Sequence, residues 1–326
     1  MGFILKTLSY LVRLKVAFAS IFLVLYICAI VLLMFIPNFK YELIIRSKHA
    51  KPFFKNLSDP ASCGLENGRN FYLNGSSGRI GAWYASPHHN DNNFFILALH
   101  GTAGTRALDH RVLLLNRLSR MGFYALMIDY AGFADSDGTA SEGSMVDDAF
   151  IAYQWLQQQA KGRPIFIMGT SLGSAISLQL AAKLKLESGV QPVNGVVLLA
   201  SFSTILDVVR NYFWLKPAYY FIPNFESYIS DLNGKFDNLY WIEHVKSPIL
   251  ILHDIADEVC DVNMVRQLYS TAQKDSENLV KYVEIDEGLP HRFICKAKDF
   301  NAIVADFTTD CLRRRSGIKI DNQQTM

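Results

Sequence analysis

Cysteine is scarce in this chain: five in 326 residues, widely scattered, with no pair or quartet at metal-ligand spacing. That excludes a zinc module and a disulfide-stapled scaffold. Neither sign of charge is in excess, with 32 basic against 30 acidic residues and a net charge of +2. Such a balance leaves no electrostatic footprint for nucleic acid. Internal repeats and low-complexity tracts are absent too. What the chain does have is apolar bulk: half of its residues are hydrophobic, ample for one large core.

One long uncharged run stands out, Val16 to Ile36, closed by Pro37. It is long enough to cross a bilayer core of about 30 Å as a helix. A secretory signal would have a shorter apolar region followed by a small-residue cleavage site. Phe35-Ile36-Pro37-Asn38-Phe39 offers none, so the run reads as a retained single-span anchor. Residues 1–15 are then a short N-terminal tail and 37–69 a connector. Basic residues flank the span on both sides: Lys6, Arg13 and Lys15 before it, and Lys40, Arg46, Lys48, Lys51 and Lys55 after it. Their count mildly opposes a cytoplasmic N-terminus. Two sequons, Asn56-Leu57-Ser58 and Asn74-Gly75-Ser76, are candidate glycosylation sites and argue for a lumenal catalytic domain. Cys28 lies in the span, where packing explains it.

Beyond the connector, strand and helix signals alternate. Asn74-Gly75 predicts a hairpin turn. Buried strands are expected at 94–99, 124–129, 164–169, 195–201, 248–253 and 280–285, and helices at 110–121, 144–159, 174–182, 262–272 and 301–313, with Ser141 or Ser144 capping the second. The alternation predicts an α/β domain over 70–315, with a mostly parallel sheet covered by helices on both faces. Between 203 and 244 the beat is lost in an aromatic segment, which reads as a helical cap insertion. Residues 316–326 form a C-terminal tail.

The chemistry centres on Gly169-Thr170-Ser171-Leu172-Gly173, set between an apolar strand and an Ala/Leu-rich helix. Strand, Gly-x-Ser-x-Gly and helix in that order make a nucleophile elbow. A serine hydroxyl needs a base, and the base an orienting carboxylate. In this architecture they follow in the order acid, then histidine, each past the C-terminal end of a strand. His291, in the Gly/Pro-bearing loop after the last strand, is the best base; His110, His244 and His253 are the alternatives and stand earlier in the chain. Asp254 and Asp257 share the loop after strand 248–253. Asp254 adjoins the strand and is suited to fixing the turn, whereas Asp257 reaches further round, so Asp257 is the preferred acid. The oxyanion donors are then the main-chain amides of Leu172 and of Thr102, in the small-residue loop His100-Gly-Thr-Ala-Gly-Thr105. That loop lacks the Lys-Ser/Thr ending of a phosphate loop.

These segments, with Asp109-His110-Arg111-Val112, Asp129-Tyr-Ala-Gly-Phe-Ala-Asp-Ser136, Gly138-Thr139 and Pro290-His291-Arg292-Phe293-Ile294, resemble the α/β-hydrolase-domain serine hydrolases. The group resembled is the membrane-anchored monoacylglycerol lipase and lysophosphatidylserine lipase subfamily, over about residues 70–312. The resemblance implies an integral membrane lipase of the endoplasmic reticulum with a lumenal catalytic domain, acting on single-chain glycerolipids with Ser171, Asp257 and His291 as its triad. The chain departs from the group at Thr102, Thr170, Ala131-Gly132-Phe133-Ala134 and near Glu258, none of which removes a triad side chain.

No cofactor or metal is expected; the partners are a lipid substrate and the membrane. Rings in the cap, Phe213, Trp214, Tyr219 and Tyr220, are the expected wall of an acyl pocket, where each buried CH₂ contributes about 0.8 kcal/mol. Cys260 and Cys295 closely follow Asp257 and His291, so a disulfide between them is open in an oxidising compartment. Two other functions fit the same residues: an acyl-protein thioesterase, and a hydrolase-like membrane protein that binds lipid without turnover.

Overall fold

A computed structural model describes residues 2–47, 55–89, 94–275 and 278–315. The C-terminal tail 316–326, and Lys48 and Lys51 of the flanking charges, lie outside the described residues.

The chain opens with α1 (Gly2–Phe35) and turns at Ile36 into α2 (Pro37–Ile45), whose first turn carries the proline, where no amide partner is needed. Within α1, Tyr10–Phe35 is long and apolar enough to cross a membrane. A hairpin follows, β1 (Gly68–Gly75) and β2 (Gly78–Ala85), then β3 (Phe94–Leu99), α3 (Asp109–Arg120), β4 (Phe123–Ile128) and α4 (Glu142–Ala160). Ser141 caps α4, with Ser144 answering it in a reciprocal pair of bonds. Next come β5 (Ile165–Thr170), α5 (Leu172–Leu186) and β6 (Gly195–Leu199). The segment after β6 holds three short helices, α6 (Ile205–Arg210), α7 (Lys216–Phe221) and α8 (Asn238–Ile242), joined by 3₁₀ turns. The chain closes with β7 (Ile249–Asp254), α9 (Val262–Ala272), β8 (Val280–Ile285) and α10 (Phe300–Arg315).

The strands form one sheet in the order β1-β2-β4-β3-β5-β6-β7-β8, antiparallel at β1–β2 and β2–β4 and parallel elsewhere. The inner strands β3, β4, β5 and β6 are almost wholly apolar because both faces are covered, whereas β8, at the edge, carries Lys281 and Glu284. Alternate residues feed two cores: Phe95, Leu97, Leu99, Ile165 and Ile167 on one face, and Ile96, Ala98, Phe166 and Met168 on the other. The hairpin turn sits two residues beyond its expected place at Asn74-Gly75. Leu73 pairs with Ile80, both buried, and Gly75 with Gly78, so Ser76-Ser77 form the tip. The buried pair sets the register and Gly78, at φ +118°, supplies the turn geometry.

The two N-terminal helices are not loosely tethered. Ile30 and Leu33 near the end of α1 and Ile44 and Ile45 of α2 belong to the same core as the sheet and cap. Lys40, largely buried, bonds the Tyr228 carbonyl and the Asp231 carboxylate (2.8 Å) of the cap.

Candidate active site

The elbow between β5 and α5 is built by exclusion. A Cβ on Gly173 would lie 2.0 Å from the Leu99 carbonyl oxygen, and one on Gly169 would lie 2.2 Å from the Gly173 carbonyl oxygen. Only glycine lets β3, β5 and α5 approach this closely. Ser171 is thereby held at φ +54°, ψ −121°, a strained conformation for a side-chain-bearing residue and one that turns its hydroxyl out of the sheet. Its own amide donates to the Leu199 carbonyl (2.9 Å), and Ser174 Oγ donates to its carbonyl (2.6 Å), which pins the turn.

Ser171 Oγ is 2.9 Å from His291 Nε2. The opposite ring nitrogen, Nδ1, lies 2.7 Å from Asp257 Oδ2. A carboxylate can only accept, so the proton belongs on Nδ1, and Nε2 is left to accept from the serine. Asp257 is almost fully buried, and its Oδ1 also accepts the amides of Val259 (2.8 Å) and Cys260 (2.9 Å). Burial on its own would raise the Asp257 carboxyl; the hydrogen bond and charge of His291, with those two amides, outweigh it and hold the group below the usual carboxylate range.

Asp254 points elsewhere. It accepts the amides of Ala256 (2.9 Å) and Leu289 (3.0 Å), bracing the histidine loop against the acid loop. Of the other histidines, His253 is buried with Nε2 at the Cys260 carbonyl, and His244 bonds the Tyr240 carbonyl on the surface. His110 lines the cavity beside Ser171; burial, with the charges of Arg111 and Arg292, pushes it down to about 3.

The loop after β3 brings Gly101 and Thr102 to the elbow; a Cβ on Gly101 would meet the Ser171 Cβ at 3.0 Å. Its carbonyls are gathered by one buried side chain, Arg111 of α3, whose Nη2 donates to Gly101, Thr102 and Ala103 oxygens at 3.1, 3.2 and 2.6 Å. The Ala103 amide donates to the Ile45 carbonyl (3.0 Å), which ties the loop to the end of α2. Beneath it, Tyr130 donates to the His100 carbonyl (3.0 Å), and buried Asp129 meets His100 Nε2 (3.1 Å) and Arg106 Nη1 (2.5 Å). Asp109-His110-Arg111 and Asp129 are visible in the sequence, and Arg111 stands on the same helix face as Leu114, Leu115 and Leu118, but the pattern gives it no role.

A cavity of about 340 Å³ opens over Ser171 and His291. Its walls include Gly101, Thr102, Thr170, Tyr212 and Arg292, and, from the end of α2, Ile44 and Arg46. The expected acyl-pocket rings are not among them. Trp214 stacks on Tyr212 and Tyr219 packs edge-on against Phe225 inside the cap, while Phe213 and Tyr220 are 80% and 83% exposed. Short 3₁₀ and helical turns give the cap no fixed side-chain period, so neighbours in sequence face different ways. Tyr212 is the cap ring that reaches the cavity.

The expected disulfide is also absent: Cys260 and Cys295 are free and buried. Cys260 packs in the core on one face of the sheet and Cys295 in the core on the other, so adjacency of their loops does not bring the sulfurs together. Asn56 and Asn74 are both exposed, Asn56 with its Oδ1 accepting from the Ser58 amide and hydroxyl. A second concavity of about 420 Å³ lies at Asn194 and Pro248, the opposite end of the strands from the elbow.

Comparison with known proteins agrees with this architecture. Residues 95–226 match the model of the α/β-hydrolase fold family. The lysophosphatidylserine lipase ABHD12 of Danio rerio is 30% identical over 310 residues, 87% of this chain and 80% of its own. Human protein ABHD12B is 32% identical over 280 residues, 78% of this chain and 76% of its own. Among solved structures, an α/β hydrolase from Vibrio vulnificus superposes with a TM-score of 0.64 at 18% identity, covering 84% of this chain and 91% of that one. The Pyrococcus furiosus esterase Pf2001 gives 0.62 at 16%, covering 81% and 97%. The chain therefore belongs to the α/β-hydrolase family, in the subfamily of the lysophosphatidylserine lipase ABHD12 and its relatives, and is a carboxylic ester hydrolase.

Proposed function

We propose that this chain is a membrane-anchored serine hydrolase that removes the acyl chain from lysophospholipids, with monoacylglycerol as a lesser substrate. The observation that carries the reading is the unbroken relay Ser171–His291–Asp257 at the floor of a cavity walled in part by the end of α2, which follows the apolar helix. His291 Nε2 takes the Ser171 proton as Oγ attacks the ester carbonyl, and Asp257 stabilises the imidazolium. The Thr102 and Leu172 amides receive the oxyanion. His291 then returns the proton to the departing glycerol oxygen, leaving an acyl-serine that water, activated by the same histidine, hydrolyses.

Membrane entry is supported by depth. The uncharged stretch of α1 from Val16 to Phe35 is about 20 residues, about 30 Å, the full hydrocarbon core of a bilayer. Yet Tyr26, Ile30, Leu33 and Met34 within it pack on the hydrolase domain, and Phe35 meets Tyr228 of the cap at 5.9 Å between ring centroids. If the charges at Arg13 and Lys15 stay at one interface, the cap sits at the level of the other leaflet. Phe213, Tyr220 and Phe221, 76–83% exposed, then meet headgroups and acyl chains rather than water. In this reading a single-chain lipid passes from the bilayer beneath the cap to Ser171. We place the catalytic domain in the endoplasmic reticulum lumen, where Asn56 and Asn74 would be open to glycosylation.

The test is fatty-acid release by the purified full-length protein and its Ser171→Ala variant from lysophosphatidylserine, monoacylglycerol and an S-acylated peptide. Serine-dependent release that favours the lysolipid is expected. Release from the thioester alone would make the chain a thioesterase, and release from none, despite a labelled Ser171, would put its substrate outside these classes. A gain in mobility on glycosidase treatment would support the lumenal placement; unmodified Asn56 and Asn74 would count against it.

A further inference from the structure

The cavity over Ser171 is lined by three arginines, Arg46, Arg111 and Arg292, and by no aspartate or glutamate among the described residues. Among those residues none of the three makes an ion pair. Arg46 ends α2 in a left-handed conformation (φ +54°) and spends only its Nε, on the Leu43 carbonyl at 3.2 Å. Arg292 directly follows the catalytic histidine and is exposed at the cavity rim. Arg111, 4% exposed, uses Nη2 on the loop carbonyls, and its buried Nε and Nη1 have no partner. The carboxylates nearby are already engaged. Asp129 is held by Arg106 and His100, Asp109 by Lys55 Nζ at 2.6 Å, and Glu258 accepts the His291 amide at 3.0 Å. A positive wall left uncompensated beside a half-buried nucleophile is suited to an anion. Guanidinium groups grip a phosphate by paired N–H donors, which ammonium groups do not.

We infer that Arg46 and Arg292 form the headgroup subsite of the lipase reaction, binding the phosphodiester of a lysophospholipid while Arg111 adds positive potential from below. The inference rests on the lysophospholipase reading above and adds the residues that select for phosphate. A glycerol backbone carries its acyl ester and its phosphate at opposite ends of three carbons. Ester at Ser171 and phosphate at the cavity rim therefore fit one molecule, with the acyl chain directed under the cap. Arg46 lies at the end of the segment that leaves the membrane, so the anchor contributes to selectivity as well as to location.

The experiment compares kcat/KM for lysophosphatidylserine with that for monoacylglycerol of the same acyl chain, using full-length wild type and Arg46→Ala/Arg292→Ala in mixed micelles. Both positions are exposed, so folding is not at stake, and Arg111 is left in place because it holds the oxyanion loop. The ratio should fall about ten- to a hundredfold, mainly through KM, as expected for the loss of charged hydrogen bonds. Arg46→Lys/Arg292→Lys should recover part of it, because the charge remains while the paired geometry is lost. A ratio within about twofold of wild type, or an equal loss on both substrates, would overturn the inference. The lysophospholipase reading fails separately: wild type would then release no fatty acid from lysophosphatidylserine, or would release it without Ser171. Inorganic phosphate provides the last arm. It should leave hydrolysis of a short p-nitrophenyl ester unchanged; inhibition of wild type but not of the double alanine variant would make this a free-anion site instead.

Discussion

Replacing Asp257 with asparagine changes one atom, and the structure fixes what that change does. Oδ1 accepts the Val259 and Cys260 amides, and the amide oxygen of asparagine can keep both bonds. The new NH₂ then occupies the place of Oδ2, 2.7 Å from His291 Nδ1. The oxygen at the Oδ1 position is also 2.9 Å from Nδ1, but its two lone pairs are taken by the Val259 and Cys260 amides; two donors cannot face each other, so the imidazole moves its proton to Nε2. That nitrogen then faces Ser171 Oγ, 2.9 Å away, as a donor and cannot act as a base. A wrong tautomer with the geometry intact costs about ten-thousandfold in kcat, about 5 kcal/mol of barrier. The loop itself keeps its bonds, so the unfolding transition should hardly move. Asp254→Asn is the matched control. It weakens the brace on Leu289 and should lower stability by about 2 kcal/mol and activity by about tenfold or less. Fluorophosphonate labelling rates and thermal unfolding of both variants are the assay. An Asp254→Asn loss larger than that of Asp257→Asn, or an Asp257→Asn loss within about tenfold, would refute the assignment of the acid.

Gly173→Ala introduces a Cβ 2.0 Å from the Leu99 carbonyl oxygen, which is main chain and cannot swing aside. The elbow must shift by a large fraction of an ångström, and labelling should fall about a hundredfold; a wild-type labelling rate would mean the glycine is not required. Asp148→Asn tests a buried acid away from the reaction. Burial lifts the Asp148 carboxyl to about 6, only partly opposed by the Ala131 amide. Its folded value exceeds the unfolded one, so the stability it contributes is present below about pH 4 and is lost as pH rises through about 6. Across that window the wild type should lose up to about 3 kcal/mol from this group, and the variant should not; parallel stability curves from pH 4 to 6 would contradict the shift.

How much of this was legible in the chain varies with the kind of signal. The elbow was, because two glycines around a serine between a strand and a helix have a steric meaning that survives without coordinates. The parallel strands were legible as continuous apolar runs, and the cap as a loss of the β/α beat. The directions of the cap's rings were not, since its turns have no period, and Tyr212 reached the cavity in place of Phe213 and Tyr220. Cys260 and Cys295 follow adjacent loops, but the sheet lies between their side chains. The Asn74-Gly75 signal named the hairpin and misplaced its tip, because the buried Leu73–Ile80 pair outweighs turn preference. Arg111 was invisible as an organiser of the oxyanion loop. The helical period puts it on the leucine face of α3, but which carbonyls a buried guanidinium meets is a tertiary fact. The docking of α1 and α2 onto the cap was likewise hidden, because an apolar residue facing lipid and one facing protein read alike.

The most direct test of the account is to label the full-length protein with a fluorophosphonate and map the adduct by peptide mass. The account predicts one adduct, on the peptide carrying Ser171, lost in His291→Ala and competed away by lysophosphatidylserine. Labelling that survives in Ser171→Ala, or an adduct on another residue, would contradict it.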